Sequence, residues 1–586
     1  MSLTPIRYKI TPKDVNAHIF DVCLTLDNPN PLGQVFSLPN WIAGSYLIRD
    51  FAKNIVCIKA HSSGQSVELK KLDKNHWIAS PCGDSISVEY EVYAFDLSVR
   101  CAYLTNQRAF FNGSSVFLQP LGFENRTCEV QINHPTDKVL GAWDCATTLT
   151  LKDKQENKAI YTAENYLDLI DHPVEMADFT RFEFSAGNTA HAMTITGEHT
   201  ADIERLRADL SRICAHHIGF FGGNIPFDHY LFLTLVTSKD YGGLEHKKSS
   251  SLICARKELP VLGQKDISPE YTRFLALCSH EYFHAWWVKT IKPASFHDLD
   301  MNRENYTEQL WIFEGFTSYY DELSLLRADI LSVEQYLTLF AQTVGRVQKG
   351  RGRFKQSLVQ SSFEAWTKFY QQDENAPNAI VSYYGKGALL AFVLDIEVRK
   401  RTDDKYSLDD AIRLIWDNYQ ASGLADDTVQ KVIEHLTQSD FTEFFEKYLY
   451  GVDELPLKSA FEYVGVHCEF SHKKEDLSKF GIGVNTTQKQ AVVTHILDNS
   501  CAQTAGLYVG DKIISINESK IAAKDLKKTL DKCQEGECIK LGILRDDLPS
   551  DIQLKIAFGD KTHCALTLNT KANQSILSQQ KKWIAG

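Results

Sequence analysis

Apolar and polar residues alternate in the opening part of the chain. Phe20, Val22, Leu24 and Leu26 are spaced by Asp, Cys and Thr, and Ile86, Val88, Tyr90 and Val92 by Ser and Glu. A period of two buries one face of a strand, and the Pro- and Gly-bearing runs Asp27–Pro31 and Ser80–Asp84 supply turns. Residues 1–175 are therefore expected to form a β-sandwich-like domain. Over 176–460 the pattern changes: Tyr230–Thr237 reads as a strand leading into the Gly242–Glu245 segment. Phe274, Leu275 and Leu277 then fall in helical register with Trp286 and Trp287, and the chain stays mainly helical through Phe441–Tyr450. Short strands and turns return over 461–561, and 562–586 reads as a polar tail. The expectation is a multidomain α+β protein.

Composition narrows the function classes. A chain of 586 residues has capacity for three or four separate cores. Lys+Arg 63 against Asp+Glu 75 gives a formal charge of −12, which argues against nucleic acid as a partner. No apolar run is long enough to span a bilayer, and the first residues lack the apolar core of a signal peptide, so the chain as given reads as cytoplasmic. Met1-Ser2-Leu3 is also compatible with a replaced leader. The 14 cysteines form no Cys-x-x-Cys pair, and Cys23, Cys214, Cys254 and Cys278 sit in apolar runs, which reads as buried free thiols.

The stretch His280-Glu281-Tyr282-Phe283-His284 carries the chemistry. On a helix, positions i and i+4 share a face, so both imidazoles can reach one zinc ion with Glu281 beside it. A catalytic zinc takes three protein ligands and leaves a fourth position open. Glu314, set in the apolar run Leu310–Tyr320, would leave a buried charge unpaired unless it met a cation, so it is read as the third ligand.

These residues resemble the zinc peptidases with a glutamate third ligand, the thermolysin and aminopeptidase N group, although the spacing 314 − 284 = 30 is longer than aminopeptidase N normally shows. Tyr241-Gly242-Gly243-Leu244-Glu245-His246, Tyr383-Tyr384-Gly385-Lys386-Gly387-Ala388 and the run from His284 to Pro293 narrow the resemblance to the glycyl aminopeptidase family. Trp41–Phe51 also resembles a signature of that family and is read as a structural loop. The resemblance implies a thermolysin-like catalytic domain with a helical subdomain over 176–460. It also implies a PDZ domain over 461–561, carried by Phe480–Val484 and by Ala505-Gly506-Leu507-Tyr508-Val509-Gly510-Asp511.

The resemblance also distributes roles. His280, His284 and Glu314 would hold Zn2+, Glu281 would act as general base, and Tyr384, with Tyr383 as the alternative, would stabilise the oxyanion. Glu245 would bind the free α-amine of a peptide, with Gly242 and Gly243 letting backbone approach it closely. The expected function is a zinc aminopeptidase acting on peptides with a free N-terminus and favouring glycine there. The alternatives are a zinc endopeptidase, if Glu245 does not reach the cleft, and a PDZ-based peptide-binding scaffold. The basic run Lys349–Lys355 is read as a solvated connection, and His246 as a hydrogen-bonded structural histidine.

Overall fold

The computed structural model describes residues 4–135 and 143–586; Met1–Leu3, which bear on the leader, lie outside them. The chain forms two compact units, Met1–Asn305 with Tyr419–Gly423, and Tyr306–Asn418 with Leu424–Gly586.

In the first unit the predicted alternation holds. Strand Ile19–Asp27 runs antiparallel to Ser85–Tyr93, with Val22 opposite Tyr90 and Leu24 opposite Val88. Phe20, Val22, Leu24 and Leu26 are all buried. These strands lie within an eight-stranded sheet accompanied by two four-stranded sheets. Three buried tyrosine hydroxyls, of Tyr8, Tyr90 and Tyr166, donate to the carbonyls of Leu118, Val116 and Phe117 at 2.7–2.8 Å. One segment that would otherwise carry unpaired buried carbonyls is thereby satisfied from three directions.

A five-stranded sheet follows, ordered Phe179–Ala186, Thr189–Thr196, His229–Thr237, Ser249–Ala255, Gly242–Glu245. His229–Thr237 is parallel to both neighbours and lies in the middle, which explains its apolar run: both of its faces are covered. Helix Pro269–Phe283 starts at Ser268, whose side chain accepts from the Tyr271 N–H. It is tied to helix Ile203–Phe220 by Tyr271 donating to Asp209 at 2.9 Å and by a 2.9 Å hydrogen bond between His217 and Ser279.

In the second unit, helices Leu310–Phe313 and Gly315–Arg327 meet at Glu314, and helix Gly385–Arg401 crosses them. The crossing depends on two glycines. A Cβ on Gly315 would lie 2.7 Å from the Gly387 Cα and 2.9 Å from the Tyr383 carbonyl, so neither position tolerates a side chain. Strands Ile482–Asn485, Ala491–Ile496, Lys512–Ile516, Cys538–Arg545 and Leu548–Lys555 form one sheet around the core of Phe480, Ile513, Leu526, Leu541 and Leu554. This is the small β domain that the PDZ resemblance implies.

Two expectations are corrected here. Residues 562–586 are not a polar tail: His563–Leu568 pairs with Val466–Ser471, and Gln574–Ala585 is a helix. Trp583 of that helix is fully buried and donates to the Tyr319 hydroxyl at 2.9 Å. A single buried tryptophan in a polar helix leaves too weak a periodicity to be read from sequence. The basic run is likewise not a solvated connection. Lys349 pairs with Asp476 at 2.6 Å, Arg351 with Asp560 at 2.9 Å, Arg353 with Glu454 at 2.9 Å, and Lys355 with Asp498. Its partners lie more than a hundred residues away in sequence, which no local pattern reveals.

The described cysteines are all free; Cys214, Cys254 and Cys278 are buried and Cys23 is half-buried. No helix among the described residues is long and apolar enough to cross a membrane.

The C-terminal helix is held by Arg327, which donates to the carbonyls of Trp583 and Ile584 and forms a buried ion pair with Asp409 at 2.9 Å. Replacing Arg327 by Met leaves the Asp409 carboxylate buried without this cation. The expected cost is about 3–5 kcal/mol, read as a lowered midpoint in calorimetric unfolding. An unchanged midpoint would show that the pair does not hold the helix.

Candidate active site

The helix Pro269–Phe283 and the residue after it carry the two histidines. His280 lies in its last turn, and His284 follows with φ −61° and ψ −21°, still helical, so the i, i+4 spacing on one face is kept. The two imidazoles sit 4.7 Å apart between ring centres at 86°. His284 Nδ1 donates to the Trp287 carbonyl at 2.9 Å, which fixes the ring and leaves Nε2 as the nitrogen that could serve as a ligand atom.

Glu281 is buried, and its carboxylate occupies the space that a side chain on Gly243 would fill: a Cβ there would lie 2.6 Å from the Glu281 Cδ. Gly243 and Glu245 are two residues apart on the edge strand Gly242–Glu245 and so point to the same face, whereas Leu244 points to the other face and is buried. The missing side chain at 243 therefore leaves room for the Glu281 carboxylate on the face that carries Glu245. Each of Glu245, Glu281 and His284 offers a ligand atom, and these atoms lie within 4.8 Å of one another. The Gly243 carbonyl accepts from Arg100 at 3.0 Å, which ties the edge strand to the N-terminal β domain. Sequence reasoning missed Arg100, because nothing local marks a lone arginine 143 residues away in the chain.

Glu314 and Tyr384 belong to the second unit. Glu314 is 2% exposed and joins the two helices Leu310–Phe313 and Gly315–Arg327. Tyr384 immediately precedes helix Gly385–Arg401. The close passage of Gly315 over Gly387 and the Tyr383 carbonyl brings the neighbours of these two residues together. Tyr383 is fully enclosed, while Tyr384 is half-buried; both pack against Phe369, at 4.7 and 5.7 Å between ring centres.

The sequence profile of the Peptidase M61 N-terminal domain matches residues 7–178, that of the M61 glycyl aminopeptidases residues 273–390, and that of the PDZ domain residues 478–556. Among solved structures, an aminopeptidase N family protein from Idiomarina loihiensis is 37% identical with a TM-score of 0.95, over 99% of this chain and 100% of that one. The chain belongs to the M61 glycyl aminopeptidase family. An M1 zinc metallopeptidase from Deinococcus radiodurans is 12% identical over 74% of this chain and 90% of that one, with a TM-score of 0.44. A variant of it bound to a Tyr-Ser-Ala substrate matches at 12% identity over 78% and 96%, with a TM-score of 0.47. No curated protein matches. This M61 protein is a metallo-aminopeptidase.

Behind Glu245 the peptidase holds a partly buried charge network that no local pattern in the chain announces. Asp171 pairs with Lys289 at 2.6 Å, contacts His246 Nδ1 at 3.3 Å and accepts the Lys247 N–H at 2.9 Å. Burial opposes the charge on Asp171, but the Lys289 cation and His246 outweigh it and hold the carboxyl well below the usual carboxylate range. Burial lowers Lys289 in turn, yet Asp171 and Glu245 hold its ammonium above its ordinary value. His246 is buried in this network, as a hydrogen-bonded structural histidine.

Gly243→Ala should displace the Glu281 carboxylate and lower turnover on the order of a hundredfold, with metal content kept. Parallel rate and metal measurements check this, and full activity would contradict the packing. For Asp171 the folded value is depressed, so its contribution is fully present above the unfolded value of about 4 and is lost as pH falls towards the folded one. Asp171→Asn should therefore be less stable than the parent at neutral pH, and the gap should narrow below about pH 4 in denaturant titrations. A gap constant with pH would refute the network.

Proposed function

We propose that this metallo-aminopeptidase is zinc-dependent and removes small N-terminal residues, glycine foremost, from peptides with a free amine. The observation that carries the reading is the convergence of Glu245, Glu281 and His284 within 4.8 Å: a second carboxylate faces the position next to the general base. An endopeptidase cleft has no use for it there, whereas an α-ammonium, whose ordinary pKa is about 7.7–8.0, is a suitable partner.

In this reading His280, His284 and Glu314 would hold the metal, a two-histidine, one-carboxylate set suited to zinc. Zinc bound there supplies a Lewis acid and lowers the pKa of a water to about 7. Glu281 takes the proton of the attacking water and delivers it to the leaving amine. Tyr384 donates its hydroxyl to the oxygen that becomes negative in the transition state. Its half-exposure supports it over Tyr383, which is enclosed. Glu245 anchors the substrate ammonium, so the bond presented to Glu281 is the first of the peptide.

The PDZ domain would take an extended peptide along strand Ile482–Asn485, an edge of its sheet. Ile482, Gly483 and Val484 line a cleft of about 640 Å³ together with Lys349, Phe369 and Ile380. We take 175, 460 and 561 as the limits of the sequence domains, with 562–586 packed into the helical body.

Glycyl and N-acetylglycyl anilides, assayed beside zinc analysis, test the proposal. About one zinc per chain is expected, with hydrolysis abolished by chelation and restored by zinc. Acetylation removes the charge Glu245 pairs with and should cost on the order of a thousandfold or more. Equal cleavage of both substrates would favour an endopeptidase.

A further inference from the structure

The run Trp41–Phe51 is read from sequence as a structural loop, yet it meets the site. Gly44 lies at φ +89°, a backbone conformation that side-chain-bearing residues adopt only with strain. A Cβ built on it would stand 2.5 Å from Glu245 Oε2 and 2.7 Å from Glu245 Cδ. The carboxylate therefore lies against the bare backbone of Gly44, and a side chain at position 44 would displace it.

The loop is firmly held. Trp41, fully buried, donates through Nε1 to the Asp300 carbonyl at 2.9 Å, and Asn40 donates through Nδ2 to the Asn302 carbonyl at 2.8 Å. The Asn40 carbonyl accepts the Arg49 N–H at 2.7 Å and the Asp50 N–H at 3.1 Å, closing the loop at its base. The Arg49 side chain donates to Ser45 Oγ at 2.9 Å. Gly44 is thus presented by a rigid support, and a glutamate with three side-chain torsions gains a wall on one side. Arg100, from the same β domain, holds the strand that carries Glu245 through the Gly243 carbonyl.

We propose that Gly44 is a positioning residue for amine recognition: the N-terminal β domain forms one wall of the first specificity site by seating the Glu245 carboxylate on the Gly44 backbone. The inference rests on the reading of Glu245 as the ligand of the substrate amine. A carboxylate that must meet an ammonium within hydrogen-bond distance, and no other group, needs its rotamer fixed before substrate arrives. The glycine does this without a side chain that could bring a further polar group to the ammonium.

The test compares the full-length parent, Gly44→Ala, Glu245→Asp and the double variant on a glycyl anilide, with melting temperatures measured on the same samples. Gly44→Ala should lower kcat/KM on the order of a hundredfold, mostly through KM, because the displaced interaction binds ground and transition states alike. Glu245→Asp withdraws the carboxylate by one methylene, so in that background the added alanine should cost under about tenfold. Equal losses in the two backgrounds, or an unaffected Gly44→Ala, would overturn the proposal. Glu245→Ala separates the two readings. If it leaves the discrimination between free and acetylated substrate intact, amine recognition by Glu245 fails. The seating is then read by melting alone: the drop caused by Gly44→Ala should shrink in the Glu245→Ala background, and an equal drop in both refutes it.

Discussion

A carboxylate can be held inside a dry cleft only if something makes room for it without also neutralising it. In the first unit that room is bare backbone. Glu281 fills the space that a side chain on Gly243 would take, and Glu245 lies on Gly44. Two acidic groups thereby share one neighbourhood with His284, an arrangement whose mutual repulsion requires cations to offset it. In the proposed function those cations are a bound metal ion and the ammonium of a substrate. The second unit uses the same device for a different end, since Gly315 and Gly387 let two helices approach closely enough to bring the neighbourhoods of Glu314 and Tyr384 together.

The charges behind the site complement those in it. Lys289 follows His284 by five positions and is paired with Asp171, so its positive charge is balanced. The pair also ties the segment after the histidines to His246 and Lys247, the residues that follow Glu245. Exposed ion pairs contribute little to stability, but these side chains are mostly buried, and each fixes backbone next to a site residue. Electrostatics and positioning are here one property.

Within the second unit the small β domain is attached by specific polar contacts. Arg353, nearly fully buried, bridges Glu454 and Asp560, and Asn378 donates to the Ile496 carbonyl at 2.7 Å while accepting the Asp498 N–H at 2.8 Å. Asn378 lies six residues before Tyr384. Phe369 lines the cleft beside strand Ile482–Asn485 and also packs against Tyr383 and Tyr384. The segment that borders the proposed peptide-binding edge is therefore the one that leads to the proposed oxyanion donor.

Sequence alone determined whatever depends on local periodicity and fixed spacing. The alternation at Phe20–Leu26 and Ile86–Val92, the central apolar strand Tyr230–Thr237, the helix carrying His280 and His284, and the Gly-rich PDZ signature are local patterns, because backbone hydrogen bonding and one-sided burial act over a few residues. Tertiary structure decided which distant groups meet. The seat of Glu245 on Gly44, the grip of Arg100 on Gly243, the Asp171–Lys289 pair, the acidic partners of Lys349–Lys355 and the burial of Trp583 join residues far apart in the chain. Charge and volume complementarity depend on where the fold brings side chains together, and a one-dimensional pattern carries no record of that.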